Sequence, residues 1–173
     1  MGTNSDKVIL IGFMGTGKST VAKALAKQLG FSVQELDTLI IERSGRASIP
    51  EIFEHDGEPH FRNLETEVCA ATSKERSVVI STGGGVIGRD VNMEHLTARG
   101  GVVVFLKTSF ESIIARSADL LNRPLFRDGH QAQELFDRRT PVYLRWANLV
   151  VETDGKSIEE VCSEILSSLQ SRA

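Results

Sequence analysis

The sequence predicts an α/β fold with a mostly parallel sheet, and three observations carry that reading. Short apolar runs alternate with amphipathic segments along the chain, the pattern that lays helices against a parallel sheet. The first apolar run, 8–11, leads into Gly12-Phe13-Met14-Gly15-Thr16-Gly17-Lys18-Ser19-Thr20 and then a helical pattern. Later strand-like runs end at Asp37 and at Gly83-Gly84-Gly85. In open α/β sheets ligands bind beyond the carboxyl ends of strands, so these residues converge on one edge.

Taken in order, 8–11 is the first strand and Lys18–Leu29 the helix after the loop, with Gly30 as its stop. Residues 31–35 make a short strand. Short helices follow at 38–44 and 49–55, separated by Gly45-Arg46-Ala47-Ser48. A longer helix at 59–72 carries Phe61, Leu64, Val68 and Cys69 on one face. The apolar runs 78–81 and 102–106 read as strands, with a helix at 91–98 between them and another at 110–116. Segment 119–131 is polar, with Arg123-Pro124 and Asp128-Gly129 and little periodicity. The helix expected at 134–146 should kink or divide at Pro141. A last strand at 149–151 precedes a closing helix at 157–169. Its apolar stripe of Ile158, Val161, Cys162, Ile165, Leu166 and Leu169 belongs to the core.

The loop at 12–20 matches G-x-x-x-x-G-K-[ST], which binds the phosphates of a nucleotide. Gly15, Thr16 and Gly17 let backbone N–H groups turn toward a phosphate, beside the positive end of the following helix. Lys18 reaches the β- and γ-phosphates, the Ser19 hydroxyl is the expected Mg²⁺ ligand, and Thr20 completes the nucleotide-binding run.

Composition agrees with an enzyme rather than a nucleic-acid or membrane protein. The chain has 173 residues, 40% hydrophobic and 25% charged, and a net charge of −3. That length favours one domain over 1–173 with its own core. No basic stripe marks a nucleic-acid surface, although arginines cluster at 116–127 and 138–145 and suggest a local anion site. Cys69 and Cys162 have no metal-ligand spacing and read as buried thiols of a reducing compartment. The absence of a signal pattern and of an 18-residue apolar run makes a cytoplasmic location the expectation.

Other residues carry two readings each. Asp37 is either a helix N-cap or a carboxylate that accepts a hydrogen bond, and a proton, from a substrate hydroxyl. Glu35, two residues earlier, either holds a Mg²⁺-bound water or is a solvated strand residue. Arg62 and Glu65 form a surface ion pair or part of a site. The triple glycine makes a sharp turn or admits backbone N–H groups to a ligand. Arg123 is a solvated loop residue or the charge donor of a mobile lid. Arg138 and Arg139 form an exposed basic face or bind an anionic substrate.

Along nearly its whole length the chain resembles shikimate kinase. The matching features stand in family order: the loop at 12–20, Asp37, Arg43-Ser44-Gly45-Arg46, Asp56-Gly57-Glu58 with Phe61-Arg62 and Glu65, Ser81-Thr82-Gly83-Gly84-Gly85, Asn122-Arg123-Pro124-Leu125 and Arg139-Thr140-Pro141-Val142-Tyr143. The phosphate loop alone identifies a superfamily; its conjunction with the triple glycine and three spaced arginines is specific. The resemblance implies a nucleoside-monophosphate-kinase-like fold, a five-stranded parallel sheet flanked by helices. It implies a substrate-binding segment at about 37–65 and a lid at about 119–131.

The implied reaction moves the γ-phosphoryl of ATP, with Mg²⁺, to the 3-hydroxyl of shikimate, a step toward the aromatic amino acids. By position, Asp37 binds the ring hydroxyls and acts as base, and Arg62 and Arg139 hold the carboxylate. The backbone of Gly83, Gly84 and Gly85 closes the pocket. Arg123 contacts the phosphates, and Arg116 and Lys156 flank adenine. Shikimate and ATP are then the partners of a monomer, with no nucleic acid and no membrane. Two features differ from the common pattern. Glu35-Leu36-Asp37 replaces Asp-x-Asp, and the interval from Gly45 to Phe53 is one residue longer. A gluconate-type kinase and a catalytically inactive kinase-like binding protein are the competing readings.

Overall fold

A computed structural model describes residues 6–116 and 129–172. Its centre is a five-stranded, all-parallel sheet. The strands are β1 (Lys7–Ile11), β2 (Ser32–Glu35), β3 (Val78–Ser81), β4 (Val102–Lys107) and β5 (Leu149–Glu152), in the order β2-β3-β1-β4-β5. The helices are α1 (Lys18–Leu29), α2 (Leu36–Ser44), α3 (Ile49–Thr72), α4 (Asp90–Thr97), α5 (Phe110–Arg116), α6 (Gly129–Trp146) and α7 (Ile158–Ser171), with a 3-10 turn at Val86–Gly88.

The strand alternation sorts the core into two layers. Val8 and Leu10 of β1 point to the face covered by α1 and α7, where Val21, Leu25, Val161 and Ile165 bury them. Ile9 and Ile11 point to the other face, packed with Phe61, Leu64, Met93, Phe105 and Tyr143 from α3, α4, β4 and α6. All five residues of β1 are buried, as expected for the middle strand of a sheet covered on both sides. Leu10 pairs with Ser81 and Ile11 with Phe105, so β1 and β3 end within a residue of each other, β4 runs on to Lys107, and their loops share one edge. Cys69 and Cys162 are buried and free. Among the described residues no helix is long and apolar enough to cross a membrane.

Three elements differ from the sequence expectation. α2 begins at Leu36, two residues early, so Glu35 ends β2 and also stands at the cap position of α2. The expected helices 49–55 and 59–72 form one element broken at Gly57, whose φ of 82° and ψ of 162° are non-helical. Ser48 caps its start by accepting the Glu51 N–H at 3.3 Å. α6 begins at Gly129 rather than 134 and runs through Pro141 without dividing. Pro141 lies on the exposed side, where water can reach the Asp137 carbonyl that it leaves without a helical donor. The lid expected at 119–131 falls largely outside the described residues, and its last three residues, 129–131, are the first turn of α6.

Candidate active site

The loop between β1 and α1 is shaped by its own backbone. Gly15 and Gly17 take φ of 78° and 87°, a conformation that costs an L side chain about 1–2 kcal/mol. The chain thereby curls and enters α1 at Lys18, with the Thr16 hydroxyl donating to the Phe13 carbonyl at 3.0 Å. Lys18 is buried, and its Nζ donates to the carbonyls of Gly12 and Phe13, each at 2.8 Å. The ammonium is thus folded into the curl at the positive end of α1, a place suited to phosphate oxygens. Beside it the Ser19 hydroxyl donates to Glu35 Oε2 at 3.0 Å and lies 3.5 Å from Ser81 Oγ. Glu35 also pairs with Lys23 at 3.3 Å. These are hard oxygen donors of the kind Mg²⁺ takes.

Next to this loop the triple glycine packs against three side chains from two other helices and the first turn of a third. A methyl group on Gly83 would lie 2.9 Å from Asp37 Oδ1. On Gly84 it would lie 3.1 Å from the Met14 nitrogen of the phosphate loop and 3.5 Å from Arg139 Nη1. On Gly85 it would lie 2.5 and 2.7 Å from the two terminal nitrogens of Arg62. None of the three has a positive φ among the described residues. Their glycine identity answers close approach, with Asp37 of α2, Arg139 of α6 and Arg62 of α3 each brought against one of them.

Burial sets the electrostatics here. Arg62 Nη1 donates to Glu65 Oε1 at 2.9 Å, its Nη2 pairs with Glu58 at 3.2 Å, and the guanidinium sits 5.1 Å from the Phe61 ring centre. Glu65 is only 2% exposed. Burial pushes its carboxyl above the usual range, against the pull of Arg62. Burial likewise lowers the Arg139 guanidinium, whose Nη1 is buried without a hydrogen-bond partner among the described residues. A buried guanidinium donor in that condition is costly until an acceptor reaches it. Tyr143, one turn on, is pushed up by burial, donates to the Gly84 carbonyl at 2.5 Å and stacks on Phe105. Arg62 is thus shared between Glu58 and Glu65, and Asp37 stands beside Gly83, while the buried Arg139 Nη1 facing Gly84 is a donor left for the oxygen of an anionic ligand.

On the far side of the loop, Arg116 Nη2 lies 3.5 Å from the Thr153 carbonyl. Asp154 accepts the Ser109 N–H at 3.1 Å, and Lys156 pairs with Glu164 of α7 at 2.5 Å.

A family model described as shikimate kinase matches residues 14–170. The chain belongs to the shikimate kinase family. It is 44% identical over 168 residues to the shikimate kinase of Geobacter metallireducens, covering 95% of this chain and 92% of that one. It is 42% identical over 166 residues to that of Pseudomonas entomophila, covering 94% and 95%. The crystallised shikimate kinase of Acinetobacter baumannii, in complex with shikimate, superposes with a TM-score of 0.90 at 34% identity, covering 98% of this chain and 96% of that one. A gluconokinase from Sinorhizobium meliloti shares the fold alone, at 18% identity and a TM-score of 0.56.

Within this family framework, the residues singled out in the sequence fall into three groups. Gly15, Thr16, Gly17, Lys18, Ser19, Asp37, Arg62, Gly83, Gly84, Gly85 and Arg139 meet at one edge of the sheet. Arg116 adjoins the turn that leads to Lys156, whose ammonium is engaged with α7. Arg123 lies outside the described residues. Asp37 is not an N-cap: it sits inside the first turn of α2, where a carboxylate suits the helix dipole. Arg62 and Glu65 are no surface pair, since Glu65 is buried. The signal was present, because Glu65 lies four residues after Phe61 and three before Val68, on the apolar face of α3. Arg138 is exposed, as a basic helix face would be, whereas Arg139 turns inward.

Proposed function

We propose the following division of labour for the reaction of this family, the ATP-dependent phosphorylation of shikimate in aromatic biosynthesis. Gly15, Thr16, Gly17 and Thr20 cradle the ATP phosphates, and Lys18 moves from the loop carbonyls to the β- and γ-phosphates. Ser19 holds Mg²⁺ directly, and Glu35, hydrogen-bonded to it, holds the ion's water. When bound, the ion neutralises charge on the phosphates. Arg62 and Arg139 grip the shikimate carboxylate, while Asp37 orients the 3-hydroxyl and accepts its proton. Gly83, Gly84 and Gly85 close the pocket by leaving room for those three side chains. Arg116 and Lys156 flank adenine, and Arg123 keeps the lid role of the family pattern.

One observation supports the reading above the rest. Asp37, Arg62 and Arg139, far apart in sequence, face three successive glycines, the middle one of which, Gly84, lies against the phosphate loop at Met14. Within the same proposal the chain acts as one cytoplasmic domain without nucleic acid or membrane, and as a monomer, because the pocket side chains among the described residues all come from one chain. ADP release measured with shikimate, gluconate and a nucleoside monophosphate in parallel tests it. Turnover with shikimate alone is expected; turnover with gluconate, or ATP binding without any turnover, would favour one of the competing readings.

A further inference from the structure

We infer that Asn92 is a positioning residue for acceptor binding, tying the glycine turn to Thr66, one helical turn after Arg62 in α3. Asn92 lies in the first turn of α4 and is fully buried. Its Nδ2 donates to the Val86 carbonyl at 2.9 Å, immediately after Gly85. Its Oδ1 accepts the Thr66 hydroxyl at 2.7 Å. The Arg62 carbonyl lies 3.1 Å from the same hydroxyl oxygen, whose one proton serves Asn92 or Arg62 and not both at once. Arg89 Nη1 donates to the same carbonyl at 3.2 Å and to Asn63 Oδ1 at 2.9 Å. One buried amide thus joins the two pieces of chain whose separation sets how Arg62 meets Gly85.

The effect on the turn is to complete its hydrogen bonding. The carbonyls of Gly83 and Gly85 accept the N–H groups of Val86 at 3.2 Å and Gly88 at 3.0 Å. Tyr143 holds the Gly84 carbonyl and Asn92 the Val86 carbonyl. Four successive carbonyls are therefore anchored, two of them by side chains from different helices. A methyl group on Gly85 would fall within 3 Å of the Arg62 guanidinium, so little slack separates them. Displacing such a group by ~1 Å is enough to change a reaction about 10²-fold. An apolar residue would fill the same volume, but it would leave the Val86 carbonyl and the Thr66 hydroxyl without this partner.

The inference rests on the reading that Arg62 grips the acceptor's carboxylate, and one experiment separates the two. Asn92→Ala, Thr66→Val and Arg62→Ala are compared with wild type for melting temperature and for KM and kcat on shikimate, shikimate methyl ester and ATP. Asn92→Ala is expected to raise KM for shikimate about tenfold, with KM for ATP unchanged. The preference for shikimate over its ester should shrink in the same variant. Thr66→Val, which removes one hydroxyl, should move the same quantities less far, and it carries the test if Asn92→Ala does not fold. A lower melting temperature with shikimate KM and ester preference unchanged in the variants that fold would overturn the assignment, leaving Asn92 a purely structural residue. If Arg62→Ala itself leaves shikimate KM unchanged, the carboxylate reading fails and this inference falls with it.

Discussion

The loop around Lys18 holds its shape through its own backbone, whereas the pocket around Arg62 takes its shape from side chains of α2, α3 and α6 gathered on a glycine turn. In the loop, positive φ at Gly15 and Gly17 and carbonyls within six residues of Lys18 account for the geometry. In the pocket, the decisive contacts join residues dozens of positions apart, such as Tyr143 to Gly84. The first half is general, since phosphates are the same in every nucleotide. The second is specific, since it must recognise one hydroxylated acid. A specific pocket needs side chains of several elements in fixed register, and its tolerance to substitution is correspondingly small.

The substitution expected to separate the halves most sharply is Asp37→Asn, which keeps size and removes charge and basicity. A fall in kcat of about 10²–10⁴-fold is expected with ATP affinity near that of wild type. Since Asp37 is inside α2 and not its cap, loss of an N-cap does not enter the comparison. A stable, fully active variant would leave the acceptor half without its base. Lys18→Ala strikes the other half: kcat should drop by about 10²–10³-fold, the size seen when one charge-stabilising donor is removed. The fold should survive at some cost in stability, because the variant gives up two buried hydrogen bonds, to the Gly12 and Phe13 carbonyls, while the sheet and both core layers are untouched. Near-normal turnover in a folded Lys18→Ala protein would take the lysine out of the mechanism.

Gly85→Ala is a smaller and more pointed test. Its methyl group would meet the Arg62 guanidinium well inside contact distance, so the guanidinium, the far end of a flexible side chain, must move aside. Shikimate KM should rise while ATP KM holds, and equal change in both would mean that the two halves are not separable. The smallest effect concerns Glu65. Burial keeps its carboxyl protonated to higher pH in the folded chain than in the unfolded one. Over that window the folded state binds more protons, so stability falls as pH rises from the unfolded value of about 4.3 through the raised folded value. Against Glu65→Gln, which does not titrate, the wild type should lose ground steadily across this window. Urea midpoints of both proteins over the range measure it, and a difference that does not change with pH would mean that Arg62 fully offsets the burial.

By itself the sequence determined the α/β class, the five strands, the phosphate loop and the core stripe of α7. Each depends on local spacing: short continuous apolar runs, the 3.6-residue stripe, and glycines at fixed offsets before Lys18. The family pattern added Asp37, Arg62, Arg139 and the triple glycine as site residues. Tertiary structure alone decided what those residues do to one another. Glu65 looked like half of a surface ion pair, because a two-residue spacing argument ignores the apolar face it shares with Phe61 and Val68. The glycines form the turn that one reading expected, and only the fold shows that a side chain there would also meet Asp37, Arg139 or Arg62. Asn92 carried no signal at all, since a buried amide is recognisable only once the carbonyl of Val86 and the hydroxyl of Thr66 stand on either side of it. Backbone conformation and periodicity are written in neighbouring residues, whereas burial and hydrogen-bond partnership depend on chain segments that meet only after folding.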